Sequence, residues 1–198
     1  MKLVVGGHSR NIGKTSVVAG IIRAIPEMEW TAIKITQYGH GVCSRNGRAC
    51  HCSTEEHRYV IVEETDPLGK GDTCRFLDAG ARKSIWVRTK QGMLFEAMPE
   101  IERLLDTRKN VIIESNSILE FVNPDLYIVV LDYLNQDFKV SARKYLDRSD
   151  ACILINSAAG TPSWDGVRSV EIANKPSFEI SPPPYVNDAI VAFVRQSL

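Results

Sequence analysis

Gly7 to Ser16 reads Gly-His-Ser-Arg-Asn-Ile-Gly-Lys-Thr-Ser, set between the apolar run Leu3-Val4-Val5 and an apolar helical pattern. Glycines between a strand and a helix let consecutive backbone N–H groups turn inward, and the helix N-terminus behind them favours negative charge. A lysine and a hydroxyl at the end of such a turn complete a grip on a polyphosphate and its Mg²⁺. Here Lys14 is placed for the β and γ phosphates and Thr15 for the metal. The expected contacts run through Gly7, His8, Ser9, Arg10, Asn11, Ile12, Gly13, Lys14, Thr15 and Ser16. The usual spacing G-x-x-x-x-G-K-[ST] asks for a glycine at position 8, where this chain has His8. Gly7 stands one residue upstream, giving G-x-x-x-x-x-G-K-T.

The longer spacing resembles the dethiobiotin synthetase and cobyrinate amidation branch of the P-loop NTPases. The dimeric switch ATPases related to that branch carry a second lysine at the position of Ser9. It is absent here, with Arg10 the neighbouring substitute, so their mechanism is not carried over. Further along, Asp72, Thr73, Arg75, Ala79, Gly80 and Ala81 match the D-[ST]-x-[RK]-x-x-x-A-G-A segment of the molybdopterin-guanine dinucleotide biosynthesis protein B (MobB) family. The second-strand motif I-K-H-T of that family is similar to Ile33-Lys34-Ile35-Thr36 here. The resemblance covers the first half of the chain; the second half shares only its rhythm. It implies a Mg²⁺-dependent enzyme or accessory NTPase of cofactor biosynthesis, acting on a small-molecule or cofactor-precursor substrate, and a homodimer.

Lys34 ends a strand, where open α/β sheets bind ligands; it is either a snorkelling strand lysine or, as in the dethiobiotin-synthetase-like relatives, a substrate and phosphate contact. Asp72 and Arg75 either pair with each other along a helix or, as the family implies, stand beside the nucleotide. Mg²⁺ also requires a carboxylate at a buried strand end, and Glu114 after Val111-Ile112-Ile113 fits; it corresponds to the glutamate of the family's V-E-G, with Ser115 replacing the glycine. Lys14, Thr15, Glu114 and Lys34 are thus the expected catalytic set. Asn156 ends another strand, where guanine-specific relatives begin N-K-x-D. Ser157 and Ala159 replace the lysine and aspartate, so ATP and GTP both stay open. The relatives imply a purine contact at Asn156, with the Ser181-Pro184 loop as the other wall.

Cys43, Cys50 and Cys52, with His40, His51 and His57, crowd one polar segment, and Cys74 follows. Thiolate and imidazole suit Zn²⁺, and thiolates an Fe–S cluster; the segment is either such a metal site or a loop of reduced cysteines. The first alternative makes the chain resemble the metal-delivery NTPases of hydrogenase and urease maturation. A third possibility is a nucleotide-binding module without turnover. Cys152 lies inside an apolar run and reads as core.

Positioning these groups requires alternating strands and helices. Strands are expected at 2–6, 30–36, 59–64, 84–89, 110–115, 126–132 and 151–156, with short edge strands at 169–173 and 177–180. Helices are expected at 14–25, 72–81, 94–106 (with a kink or restart at Pro99), 141–149 and 185–198. The fold class is α/β: a P-loop NTPase with a mainly parallel sheet flanked by helices on both faces. The 198 residues suit a single domain carrying a Cys/His-rich loop insertion at about 37–58. Acidic and basic residues balance at 24 each, so no global field draws the chain to nucleic acid or an anionic membrane. No apolar run approaches the ~20 residues of a spanning helix, and the expected location is cytoplasmic. If the cysteine segment holds a metal, replacing Cys50 and Cys52 together by serine lowers the Zn or Fe found by elemental analysis. Metal-free wild-type protein disposes of that idea.

Overall fold

The computed structural model describes residues 1–38, 59–160, 164, 167 and 172–197. The strands are β1 (Lys2–Gly7), β2 (Thr31–Tyr38), β3 (Tyr59–Glu64), β4 (Lys83–Lys90), β5 (Val111–Glu114), β6 (Leu126–Asp132), β7 (Ala151–Ile155) and β8 (Ser177–Ile180). The helices are α1 (Lys14–Ala24), α2 (Asp72–Asp78), α3 (Leu94–Thr107), α4 (Val140–Tyr145) and α5 (Asp188–Gln196). The strands form one sheet in the order β3-β4-β2-β5-β1-β6-β7-β8. Every neighbouring pair is parallel except β3 with β4. This is the expected α/β class.

Alternation along the central strands sends Leu3, Val5, Ala32, Ile112, Ile128 and Val130 to one face, against Val17, Ile21, Phe76, Ile190 and Val194 of α1, α2 and α5. Val4, Ile33, Ile113, Val129 and Leu131 face the other way, against Leu94, Met98, Ile101 and Leu105 of α3 and Tyr145 of α4. Burial on both faces is why β1, β5, β6 and β7 read as nearly unbroken apolar runs. Cys152 in β7 is fully buried, as expected of a core residue.

Several boundaries differ from the sequence expectation; α2 ends at Asp78 and α4 at Tyr145, each short of the helix expected there. β2 continues through Gln37 and Tyr38, which pair with Thr89 and Lys90 of β4; parallel pairing overrides their polar character, so the insertion cannot begin at 37. Residues 39–58, including Cys43, Cys50 and Cys52, lie outside the described residues. Of the edge strand expected at 169–173, residues 169–171 also lie outside them, while Ile172 and Ala173 are helical because β8 already occupies the free side of β7. α3 runs through Pro99 without a break. A helix-interior proline costs ~3 kcal/mol, less than the burial of Leu94, Met98, Ile101 and Leu105 together at roughly 1.5–3 kcal/mol each. α5 starts at Asp188, because the Asn187 side chain accepts the Ile190 N–H at 3.0 Å and caps it.

The first strand ends in a clasp. Asn116, just past β5, accepts the Gly7 N–H at 2.9 Å and donates to the Gly7 carbonyl at 2.8 Å. A Cβ on Gly6 would lie 2.4 Å from Asn116 Oδ1 and 2.8 Å from Tyr127 Oη. Gly6→Ala is therefore expected to destabilise the fold by about 1–3 kcal/mol, read as a lower urea midpoint. An unchanged midpoint contradicts the close packing described.

Candidate functional site

β1 lies between β5 and β6, and the chain proceeds to β2 on one side and from β6 to β8 on the other. That reversal opens a crevice at the carboxyl ends of the strands, where open α/β sheets take ligands. The Gly7–Ser16 turn sits there. Asn11 and Gly13 adopt positive φ of 57° and 90°, which bends the backbone into a nest of inward amides. A side chain at Gly13 is excluded twice over, by that φ and by the Tyr185 ring, whose Cε1 would stand 2.2 Å from an added Cβ. Among the described residues, no acceptor is bonded to the backbone N–H groups from Ser9 to Ser16. α1 begins here with no acidic residue in its own first turn, so the side chains of that turn do not offset its positive end.

Lys14 folds back to donate to the Ser9 carbonyl. Burial pushes its ammonium down to about 8, with Glu114 opposing the shift and Lys139 and Lys34 adding to it. Thr15 donates its hydroxyl to Glu114 Oε2 at 2.8 Å. Lys34 reaches Glu114 Oε1 at 2.8 Å, Thr15 Oγ1 at 3.2 Å and Asp72 Oδ2 at 2.5 Å. Burial lowers its pKa, but Glu114 and Asp72 outweigh that and leave it raised. Glu114 is only 5 % exposed, which excludes a solvated strand end, and the three contacts of Lys34 exclude a snorkelling lysine. A hydroxyl and a carboxylate converge beside an ammonium already acting as their counter-charge. Hard oxygens in that arrangement fit Mg²⁺.

Asp72 and Arg75 do not pair with each other. Asp72 takes Lys34, and Arg75 donates to Ser16 Oγ at 2.9 Å, so α2 lies against the loop. Cys74 is buried, with its thiol on Glu64 Oε2 at 3.1 Å; burial is the larger cause of its raised pKa. No cluster of three or more metal-ligating side chains occurs among the described residues. Asn156 ends β7 with φ 57° and donates to Asp132 Oδ1 at 2.9 Å.

His8 departs most from the expectation of a ligand-facing loop residue. It is fully buried. Its N–H goes to the Val130 carbonyl at 3.2 Å, its Nε2 accepts the Asp132 N–H at 2.9 Å, and its Nδ1 lies 2.7 Å from the Asp137 carbonyl. Since a backbone N–H occupies Nε2, the ring proton is on Nδ1 and donates to Asp137. Ser9 Oγ donates to Asp137 Oδ2 at 2.6 Å, and the Lys139 N–H to the His8 carbonyl at 2.9 Å. These bonds fasten the loop after β6 to the phosphate-type turn. Asn116, Asp132, Asp137 and Lys139 were not singled out from sequence; their one visible signal is a place at or after the ends of β5 and β6.

No protein-family model matches the chain, nor does any curated protein. Solved structures similar to it include LpxK from Aquifex aeolicus in complex with ATP, with 17% identity over 90% of this chain and 53% of that one and a TM-score of 0.46. The chain thus spans about half the length of that protein. HypB from Helicobacter pylori in complex with nickel gives 14% identity, coverage of 98% and 86%, and a TM-score of 0.49. Bacillus subtilis MobB gives 14%, 100% and 98%, and 0.43.

The His8 contacts imply a pH dependence. Desolvation is the main cause that lowers the His8 pKa, and acceptance of the Asp132 N–H at Nε2 requires the neutral imidazole, whereas the Nδ1–H contact to Asp137 opposes the shift. A depressed folded-state value means the contribution is complete above the ordinary pKa of ~6.5 and is lost as pH falls through it towards the lowered value. Between pH 8 and 5, wild type is expected to lose more thermal stability than His8→Asn, which cannot be protonated. Parallel melting curves contradict the assignment.

Proposed function

We propose that this chain binds a magnesium nucleoside triphosphate in the Gly7–Ser16 turn and promotes transfer of its terminal phosphoryl group. The observation that carries this is the row of amides from Ser9 to Ser16 with no acceptor among the described residues, at a helix N-terminus without an acidic residue in its first turn and with Lys14 beside it. Such an array suits polyphosphate oxygens and little else. Lys14 would move from the Ser9 carbonyl onto the phosphates, and an anionic oxygen there would offset the burial that depresses its pKa. Thr15 and Glu114 would hold Mg²⁺, which neutralises developing charge on the phosphate oxygens when bound. Lys34 would remain as the counter-charge of Glu114. Transfer breaks the bond from the terminal phosphorus to the leaving diphosphate oxygen and forms one to water or an acceptor hydroxyl, whose proton is released. Electrostatic stabilisation of the charge spread over that group supplies most of the acceleration.

The finer proposal is an accessory enzyme in assembly of a cofactor of the molybdopterin-guanine dinucleotide kind. It rests on the Asp72–Ala81 motif, whose Asp72 and Arg75 reach Lys34 and Ser16 and so stand beside the proposed nucleotide. Titration of Lys14→Ala with Mg-ATP and Mg-GTP tests the proposal. Binding should fall by about a hundredfold or more, since a charge-assisted contact to phosphate is lost from a water-poor site, while the thermal midpoint without ligand stays near wild type. Wild-type affinity in that variant removes the assignment.

A further inference from the structure

We propose that Lys139 is a second lysine for the outermost phosphate, held at the mouth of the Gly7–Ser16 turn by the buried His8 contacts. This rests on the nucleotide-binding function proposed above. In sequence, Lys139 lies in Asp137-Phe138-Lys139-Val140 and looks like any charged residue entering a helix. The structure places its backbone differently. Its N–H is bonded to the His8 carbonyl at 2.9 Å, and it is the extended residue that opens α4. Two residues earlier, Asp137 is bonded to both His8 and Ser9. Between them, Phe138 packs on the His8 ring at 5.2 Å between centroids, and Trp164 backs both rings at 5.1 and 5.4 Å. A segment tied at 137 and 139 and packed at 138 cannot swing away from the turn.

The charges around Lys139 point the same way. It is half-buried and makes no ion pair among the described residues. The nearby carboxylates are engaged elsewhere: Asp137 with the Ser9 hydroxyl, Glu114 with Thr15 and Lys34, Asp72 with Lys34. Burial pushes the ammonium down to about 8; Arg10 and Lys34 lower it further, and Asp137 and Glu114 oppose them. Lys14 is lowered to the same value, and Lys139 contributes to that. Two half-buried ammonium groups from different elements therefore repel each other, and neither makes an ion pair among the described residues. An anion bound there would relieve both. The loop amides and the start of α1 would meet the inner phosphates, which leaves the terminal one for Lys139, entering from the loop after β6.

The test is calorimetric titration of wild type, Lys139→Ala, Lys139→Arg and Lys14→Ala with Mg-ADP and with a non-hydrolysable Mg-ATP analogue. Lys139→Ala should lose about tenfold or more in affinity for the triphosphate, keep Mg-ADP binding within about twofold, and melt like wild type. Lys139→Arg should recover most of the loss. Unchanged triphosphate affinity in Lys139→Ala, or an equal loss for both ligands, overturns the role of Lys139 alone, provided wild type binds Mg-ADP and Lys14→Ala does not. If wild type binds neither ligand, the nucleotide assignment falls and this one falls with it.

Discussion

A carboxylate buried at the end of β5 is the constraint around which the crevice is organised. Glu114 is almost wholly removed from water, where an ionised acid is tolerated only with opposite charge and hydrogen bonds to replace its hydration. Lys34 from β2 and Thr15 from α1 provide them. Because β2 and β1 lie on either side of β5, that requirement ties three neighbouring elements together at one point. Asp72 extends it to α2 by sharing Lys34. Removal of one partner would leave an uncompensated buried charge, the expensive outcome for such groups.

On the opposite side of the turn, neutral hydrogen bonds do the fastening. His8 faces inward, and its ring satisfies the Asp132 amide and the Asp137 carbonyl together. The two sides differ in character. Ionic contacts join β2 and β5 to the start of α1, and a neutral imidazole joins the loop after β6 to the residues that precede it. Between them lie amides that donate to nothing among the described residues.

Much of this was legible in the residues. The alternation of apolar runs and amphipathic patterns gave the strand order its raw material, because strands buried on both faces leave a signature few other elements leave. Lys14, Thr15 and Glu114 drew notice because each sits at a strand or helix end with a charge or hydroxyl; Lys34, expected at a strand end, lies inside β2 because that strand runs on to Tyr38, and it is the register with Glu114 that puts it in the group. Asn116, Asp137 and Lys139 drew none, because their importance depends on which loops meet in space. The same is true of His8, whose place in the Gly7–Ser16 turn suggested a ligand contact, whereas the structure buries it. The strand expected at 169–173 failed at Ile172 and Ala173 because β-branched alternation is local, whereas the place beside β7 had already been taken by β8.

Diffraction from crystals soaked with magnesium and a non-hydrolysable nucleoside triphosphate tests the central claim most directly. Polyphosphate density along the amides of Ser9 to Ser16, with the Lys14 ammonium turned from the Ser9 carbonyl onto it, is the expected result. An unfilled turn at saturating ligand, or phosphates bound elsewhere on the chain, would contradict the account.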